Sequence, residues 1–145
     1  RFLGGAVGGD KCVYLFPSDA DYVCQINTST DEVRNIGPDI STIEPICNNR
    51  WQNGFTAPDG SVYGIPLKGS TVLRILFKDD DGEPHVSTIG GPYTGLNKWE
   101  GGVNAANGDM YCMPLNSNYS LRIRSKQQQQ QQQQKVHQSL YIQNN

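Results

Sequence analysis

Three cations open a pattern that runs through the chain. Arg1, Arg50 and Lys98 each stand directly before an aromatic residue, Phe2, Trp51 and Trp99. A pair of small or turn-forming residues follows each aromatic: Gly4-Gly5, Asn53-Gly54 and Gly101-Gly102. A cation repeated at one place in every unit could form a ring that holds an anionic ligand by summed field and hydrogen bonds. The same column could instead pair with an acid on the neighbouring unit, or stack on the adjacent ring. Trp51 and Trp99 could stack on sugar rings, or fill the gap between packed sheets. Arg1, Arg50, Lys98, Trp51 and Trp99 are therefore the candidate ligand-binding residues. The glycine pairs do not make a phosphate cradle. They lack the G-x-x-x-x-G-K pattern, and no helix follows to offer its amino end. Close backbone approach within a strand suits them better.

Other chemistry is sparse. Asp79-Asp80-Asp81-Gly82-Glu83 is the densest acid cluster. It lacks the alternating ligands and the twelfth-position Glu of a calcium loop, and reads as a solvated turn. The two histidines, His85 and His137, have no partners at zinc-ligand spacing, so no metal is expected. There is no G-x-S-x-G and no H-E-x-x-H. Glu100, with Asn53 and Asn104 as possible carbonyl ligands, is too thin a set for a metal-dependent active site. No catalytic residue and no cofactor are expected. Cys12, Cys24, Cys47 and Cys112 have no C-x-x-C spacing and read chiefly as buried reduced thiols. Asn27-Thr28-Ser29 and Asn118-Tyr119-Ser120 fit the glycosylation acceptor pattern, which is common by chance and leaves the compartment open.

The elements that must position these residues follow from the repeat. The aromatics Phe2, Trp51 and Trp99 are spaced 49 and then 48 residues apart. Tyr14, Tyr63 and Tyr111 keep that spacing, as do Pro17, Pro66 and Pro114, and Ile26, Ile75 and Ile123. Units therefore begin near 1, 50 and 98. Each reads as four short strands. The first runs from the aromatic, as in Trp99 to Asn104. A turn follows, Pro58-Asp59-Gly60 or Asn107-Gly108, where Asn and Gly accept positive φ cheaply. The second strand is Val13 to Phe16, Val62 to Ile65 or Met110 to Met113, stopped by proline. The third is Tyr22 to Ile26, Thr71 to Ile75 or Tyr119 to Ile123. The fourth is Glu32 to Ile36 or His85 to Ile89, each ending at glycine. The third unit has no evident fourth strand.

Four strands per unit at a period between about 40 and 50 residues is the signature of a propeller blade. Solenoid repeats with one strand each are shorter, about 20–30 residues. The expected fold is all-β: an incomplete β-propeller of about three four-stranded blades over residues 1–124. A low-complexity tail with a run of eight glutamines, Gln127 to Gln134, occupies 125–145 and is expected to be disordered. Stacked blades bury the alternating apolar faces of neighbouring sheets at about 25 cal/mol per Å². Open ends would leave faces and strand edges exposed, so self-association is expected. The balance of 12 basic against 14 acidic residues argues against nucleic acid as a partner. No apolar stretch reaches the roughly 18 residues of a membrane span.

Residues 98–123, from Lys98-Trp99-Glu100-Gly101-Gly102-Val103 through Asn107-Gly108 and Tyr111 to Pro114 and Leu121-Arg122-Ile123, resemble the repeats of β-propeller proteins with kelch-like or YVTN-like blades. They are similar in particular to a largely uncharacterised group from microbial eukaryotes. The resemblance covers about 1–123 and implies the fold, with no activity to carry to named residues. The first unit departs from it at Phe2 and at Val7-Gly8-Gly9-Asp10-Lys11. The expected role is a non-catalytic binding or scaffold propeller for a protein, peptide or glycan. The alternatives are part of a hydrolase- or lactonase-like propeller enzyme whose site lies in other blades, and a truncated product with no independent function.

Overall fold

The computed structural model describes residues 1–78 and 82–124. The acidic stretch 79–81 and the glutamine-containing segment 125–145 lie outside the described residues. Eleven strands form three antiparallel sheets. The first contains β1 (Phe2–Val7), β2 (Val13–Pro17), β3 (Val23–Ile26) and β4 (Val33–Ile36), in that order. The second contains β5 (Trp51–Thr56), β6 (Val62–Pro66), β7 (Val72–Phe77) and β8 (Pro84–Ile89). The third contains β9 (Trp99–Asn104), β10 (Met110–Pro114) and β11 (Leu121–Ile123). Each sheet is an up-and-down meander, so each is one blade. Between sheets, contact is richest among the first strands β1, β5 and β9, so the blades converge there and fan outward. The fold is that of an all-β propeller segment. The expected strands are all present, although the third strand of each blade begins one or two residues later than its sequence suggested.

Two apolar cores lie at the two blade boundaries. Tyr14, Phe16 and Val23 of the first blade meet Trp51, Val62, Leu73 and Ile75 of the second. Phe55, Tyr63, Ile65 and Val72 of the second blade meet Trp99, Met110, Cys112 and Leu121 of the third. The middle blade is therefore apolar on both faces, and every residue of β6 is buried. Strand alternation supplies this: odd and even positions point to opposite neighbours. The faces are made to interlock. Gly54 lies against the Phe16 ring, where a Cβ would stand 2.5 Å from the ring edge. Gly102 lies in the same way against Phe55, so at both boundaries an inner-strand glycine makes room for an aromatic of the preceding blade.

One turn recurs in all three blades between the first two strands. Asp10, Asp59 and Asn107 each accept with a side-chain oxygen from the N–H two residues on, at 3.1, 3.0 and 3.1 Å. The next residue takes positive φ: Lys11 at 68°, Gly60 at 85° and Gly108 at 83°. The first blade therefore builds the same turn with lysine where the others use glycine, although its sequence there looked divergent.

Candidate functional site

The inner strands carry the features that a ligand would meet first. Each is broken by a bulge, visible as a register shift between Phe2 and Gly5, between Trp51 and Gly54, and between Trp99 and Gly102. At the bulge Gly4, Asn53 and Gly101 take φ of 77°, 59° and 74°. Asparagine is among the few non-glycine residues that tolerate this region. A bulge re-aims the side chain beside it. Here it brings half-buried Gln52 and exposed Glu100 together across the blade boundary, with Gln52 Nε2 donating to Glu100 Oε1 at 2.6 Å. At the far end of the same strands, Thr56 Oγ1 donates to the Val7 carbonyl at 2.6 Å, and Asn104 Nδ2 donates to the Thr56 carbonyl at 3.2 Å. The inner edge is thus a polar, hydrogen-bonded strip spanning three blades.

The cation column lies just before these strands. Arg50 and Lys98 are buried, at 2% and 3% exposure. Arg50 donates from Nε to the Ile46 carbonyl at 2.5 Å and from Nη1 to the Ala20 carbonyl at 2.8 Å. Lys98 Nζ donates to the Leu67 carbonyl at 3.2 Å and the Gly95 carbonyl at 3.0 Å. Each cation therefore reaches back to the loop that follows the second strand of the preceding blade, where it donates to main-chain carbonyls. Burial pushes the Lys98 ammonium below its usual pKa, with Glu44 opposing the shift. Arg1 has no preceding blade in this chain and stays exposed, its α-ammonium 3.4 Å from Asp19.

The backbone of the same column forms a relay. Ser18 N–H donates to the Arg1 carbonyl, and Arg50 N–H to the Ser18 carbonyl. Leu67 N–H donates to the Arg50 carbonyl, Lys98 N–H to the Leu67 carbonyl, and Leu115 N–H to the Lys98 carbonyl. Bonds within a blade alternate with bonds between blades, all between 2.9 and 3.1 Å.

Trp51 and Trp99 are fully buried at the blade boundaries. Trp51 Nε1 donates to the Thr71 carbonyl at 2.7 Å, and Trp99 Nε1 to the Tyr119 carbonyl at 2.8 Å. Each indole ties the start of the first strand to the approach of the third. Phe2 has no such donor.

Further features escaped the sequence. Glu44 lies buried in the connection after the first blade, beyond a single 3-10 turn at Ile40–Thr42. Its carboxylate accepts from Ser70 N–H at 2.8 Å, from Ser70 Oγ at 3.0 Å and from Thr71 Oγ1 at 2.9 Å, pinning the second blade. The first blade carries a polar chain in which Arg34 donates to Gln25, Gln25 to Tyr14, and the Tyr14 hydroxyl to Asp10. Burial and the Asp10 carboxylate push the Tyr14 pKa far upward, so it is a neutral donor. A cavity of about 360 Å³ opens beside this chain, lined by Asp10, Cys12, Asn27 and Glu32. A second, of about 500 Å³, lies beside β7, β8 and β11 and is bordered by Val72, Ile89, Tyr93 and Arg124. In the third blade Arg122 forms an ion pair with buried Asp109. Among the described residues no group of three His, Cys, Asp or Glu side chains is placed to hold a metal ion. No helix among them is long and apolar enough to cross a membrane.

Comparison with protein-family profiles and with curated proteins finds no match. Solved structures do match. The chain is similar to virginiamycin B lyase from Staphylococcus aureus, with a TM-score of 0.57 at 20% identity over 84% of this chain and 37% of that one. It is similar to a catalytically inactive variant of that enzyme with quinupristin, at a TM-score of 0.58, 18% identity, and 86% and 38% coverage. A streptogramin B lyase gives a TM-score of 0.60 at 12% identity, with 86% and 37% coverage. These likenesses establish the β-propeller fold. The chain spans little more than a third of the length of each.

Proposed function

We propose that this chain is part of a non-catalytic binding propeller that takes a protein, peptide or glycan at its inner edge. The observation that carries the reading is the Gln52–Glu100 pair, held at 2.6 Å beside the bulged Asn53. An amide and a carboxylate fixed side by side offer both donors and acceptors to hydroxyl or peptide groups. They stand on strands rather than loops, so their positions are set before a ligand arrives. The candidate cations Arg50 and Lys98 and the candidate aromatics Trp51 and Trp99 support this site from behind, by fastening the blades that present it. Arg1 is the exposed member of that column. Titration with maltotriose and with tetraglycine, followed by amide chemical shifts, tests the reading. It expects saturable shifts centred on Gln52, Asn53 and Glu100 for one of the two, abolished in Glu100→Ala. Shifts that are absent with both, or that survive Glu100→Ala unchanged, would remove the inner edge as the site.

A second reading is that the chain belongs to a propeller enzyme whose reacting groups lie in other blades. The similarity to virginiamycin B lyase and to a streptogramin B lyase favours it. Titration with quinupristin, followed by amide chemical shifts, bears on it. The enzyme reading expects saturable shifts on the inner strands from quinupristin and none from maltotriose or tetraglycine, and no shift with quinupristin would count against it.

A further inference from the structure

The cavity of about 360 Å³ lies on the trailing face of the first blade, the face turned toward the second. None of its lining residues stands on an inner strand. Asp10 borders it from the first turn, Gln25 from β3 and Arg34 from β4, and Gly82 of the second blade closes it. One hydrogen-bonded chain joins its two charged ends. Arg34 Nε donates to Gln25 Oε1 at 2.6 Å, and Gln25 Nε2 donates to the Tyr14 hydroxyl at 2.8 Å. That hydroxyl donates to Asp10 Oδ2 at 2.7 Å. Gln25 is 6% exposed and Tyr14 fully buried, so a guanidinium and a carboxylate are held apart by fixed side chains. Neither charge is used up. Of the five guanidinium N–H donors, one goes to Gln25 and two go to Glu83, at 3.4 and 2.9 Å, which leaves two. The Asp10 carboxylate accepts from Cys12 N–H, Tyr14 and Gln25, three of its roughly four acceptor sites. The Cys12 thiol, pushed up by burial and by Asp10, stays neutral and adds no charge.

Blade stacking does not require this set. Tyr63 and Tyr111 keep the ring, but Arg74 and Arg122 stand across from them, where Gln25 faces Tyr14. Ser87 stands where Arg34 does. Arg74 bonds Ser87, and Arg122 pairs with Asp109, each within its own blade. The guanidinium, amide, phenol and carboxylate in series therefore belong to the first blade and not to the repeat.

We propose that this cavity binds a free basic α-amino acid. The α-carboxylate meets the two spare N–H donors of Arg34, and the α-ammonium meets Asp10. Bonds between ionised partners of this kind are the strong ones. Glu32, in the lining and exposed, takes the cation of the side chain. Around the cavity Asp10, Glu32 and Glu83 stand against Arg34 alone, so the local field favours a ligand of net positive charge over a neutral zwitterion. The volume lies at the low end of the range for small-molecule sites, about 300–1,000 Å³, which suits a single amino acid rather than a longer peptide.

The test follows amide chemical shifts of the whole 145-residue chain during titration with L-lysine, from about 10 µM to about 10 mM. The expected result is saturable shifts at Cys12 and Gly82, with Gln52 and Glu100 unmoved. N-α-acetyl-L-lysine lacks the α-ammonium, L-lysinamide lacks the carboxylate and L-norleucine lacks the side-chain cation. Each should bind about tenfold more weakly than L-lysine, or worse. Asp10→Asn removes the charge but keeps the turn cap, which the third blade builds on Asn107, and should weaken L-lysine by about tenfold or more. Glu32→Gln should bring L-lysine down to the affinity of L-norleucine. No saturable shift up to about 10 mM would overturn the proposal. So would acetyl-lysine and lysinamide binding as tightly as lysine, or Asp10→Asn binding it unchanged. The comparison among ligands needs no variant, so it decides the matter even where a substitution fails to fold. Shifts confined to Gln52 and Glu100 would also overturn it, and would leave the inner edge as the site.

Discussion

Replacing Arg50 with alanine should loosen the boundary between the first two blades more than any other single change outside the apolar core. The guanidinium is 2% exposed and serves two carbonyls, Ile46 at 2.5 Å and Ala20 at 2.8 Å. A hydrogen bond to a charged donor contributes about 1.5–3 kcal/mol net, and a buried carbonyl left unpaired costs about 1–3 kcal/mol. Loss of the alkyl stem adds a packing deficit. Against this stands relief from desolvating a charge, which offsets part of the gain. A net cost of about 3 kcal/mol follows. For a chain of this size, a urea slope of about 2 kcal/mol per molar turns that into a midpoint lowered by about 1.5 M. The assay is equilibrium urea unfolding followed by tryptophan fluorescence, which reads Trp51 directly beside the substitution. Arg50→Lys should recover part of the loss, because Lys98 serves two carbonyls from the equivalent position of the next blade. A midpoint for Arg50→Ala within about 0.3 M of the parent would refute the idea that the cation column fastens the blades.

Three other predictions each rest on a single residue. Trp51→Phe removes the indole donor to Thr71 while keeping a ring, as the first blade does with Phe2, and should lower stability by about 1–2 kcal/mol in the same urea titration. Lys11→Gly should raise stability by about 0.5–1 kcal/mol in a thermal melt, because lysine there holds φ at 68° where the other blades use glycine. The Cys112 thiol is pushed up to about 12 by burial, from an ordinary value of 9.0. Its contribution to stability is therefore complete below about pH 9 and is lost as pH rises toward 12. At pH 8 a thiol reagent should label exposed Cys47 in the native state and reach Cys112 only after unfolding.

The repeat columns made most of the fold legible. Aromatic, tyrosine, proline and isoleucine at fixed spacing place the strands, since each column serves one structural purpose in every blade. The turn of the first blade was hidden because lysine replaces glycine at 11, yet Asp10 keeps the side-chain cap that the turn needs. The bulge had a signal in the composition of its column, glycine, asparagine, glycine, the residues that tolerate positive φ. The cation column was visible as a column, but a cation's identity does not say which acceptor it will find, and carbonyls leave no mark in a sequence. The relay is wholly main-chain and so has no residue signature. Glu44 belongs to a connection without an equivalent in the other units, so no periodicity could mark it.

The central claim is that the three units are blades stacked leading face on trailing face. It is tested most directly by proton nuclear Overhauser contacts across the two boundaries. The structure predicts cross-peaks between the Phe16 ring and the Gly54 α-protons, and between the Phe55 ring and the Gly102 α-protons. Ring currents should also move both glycine α-protons away from ordinary strand values. Glycine shifts at ordinary strand values, with no cross-peak to either ring, would contradict the stacking.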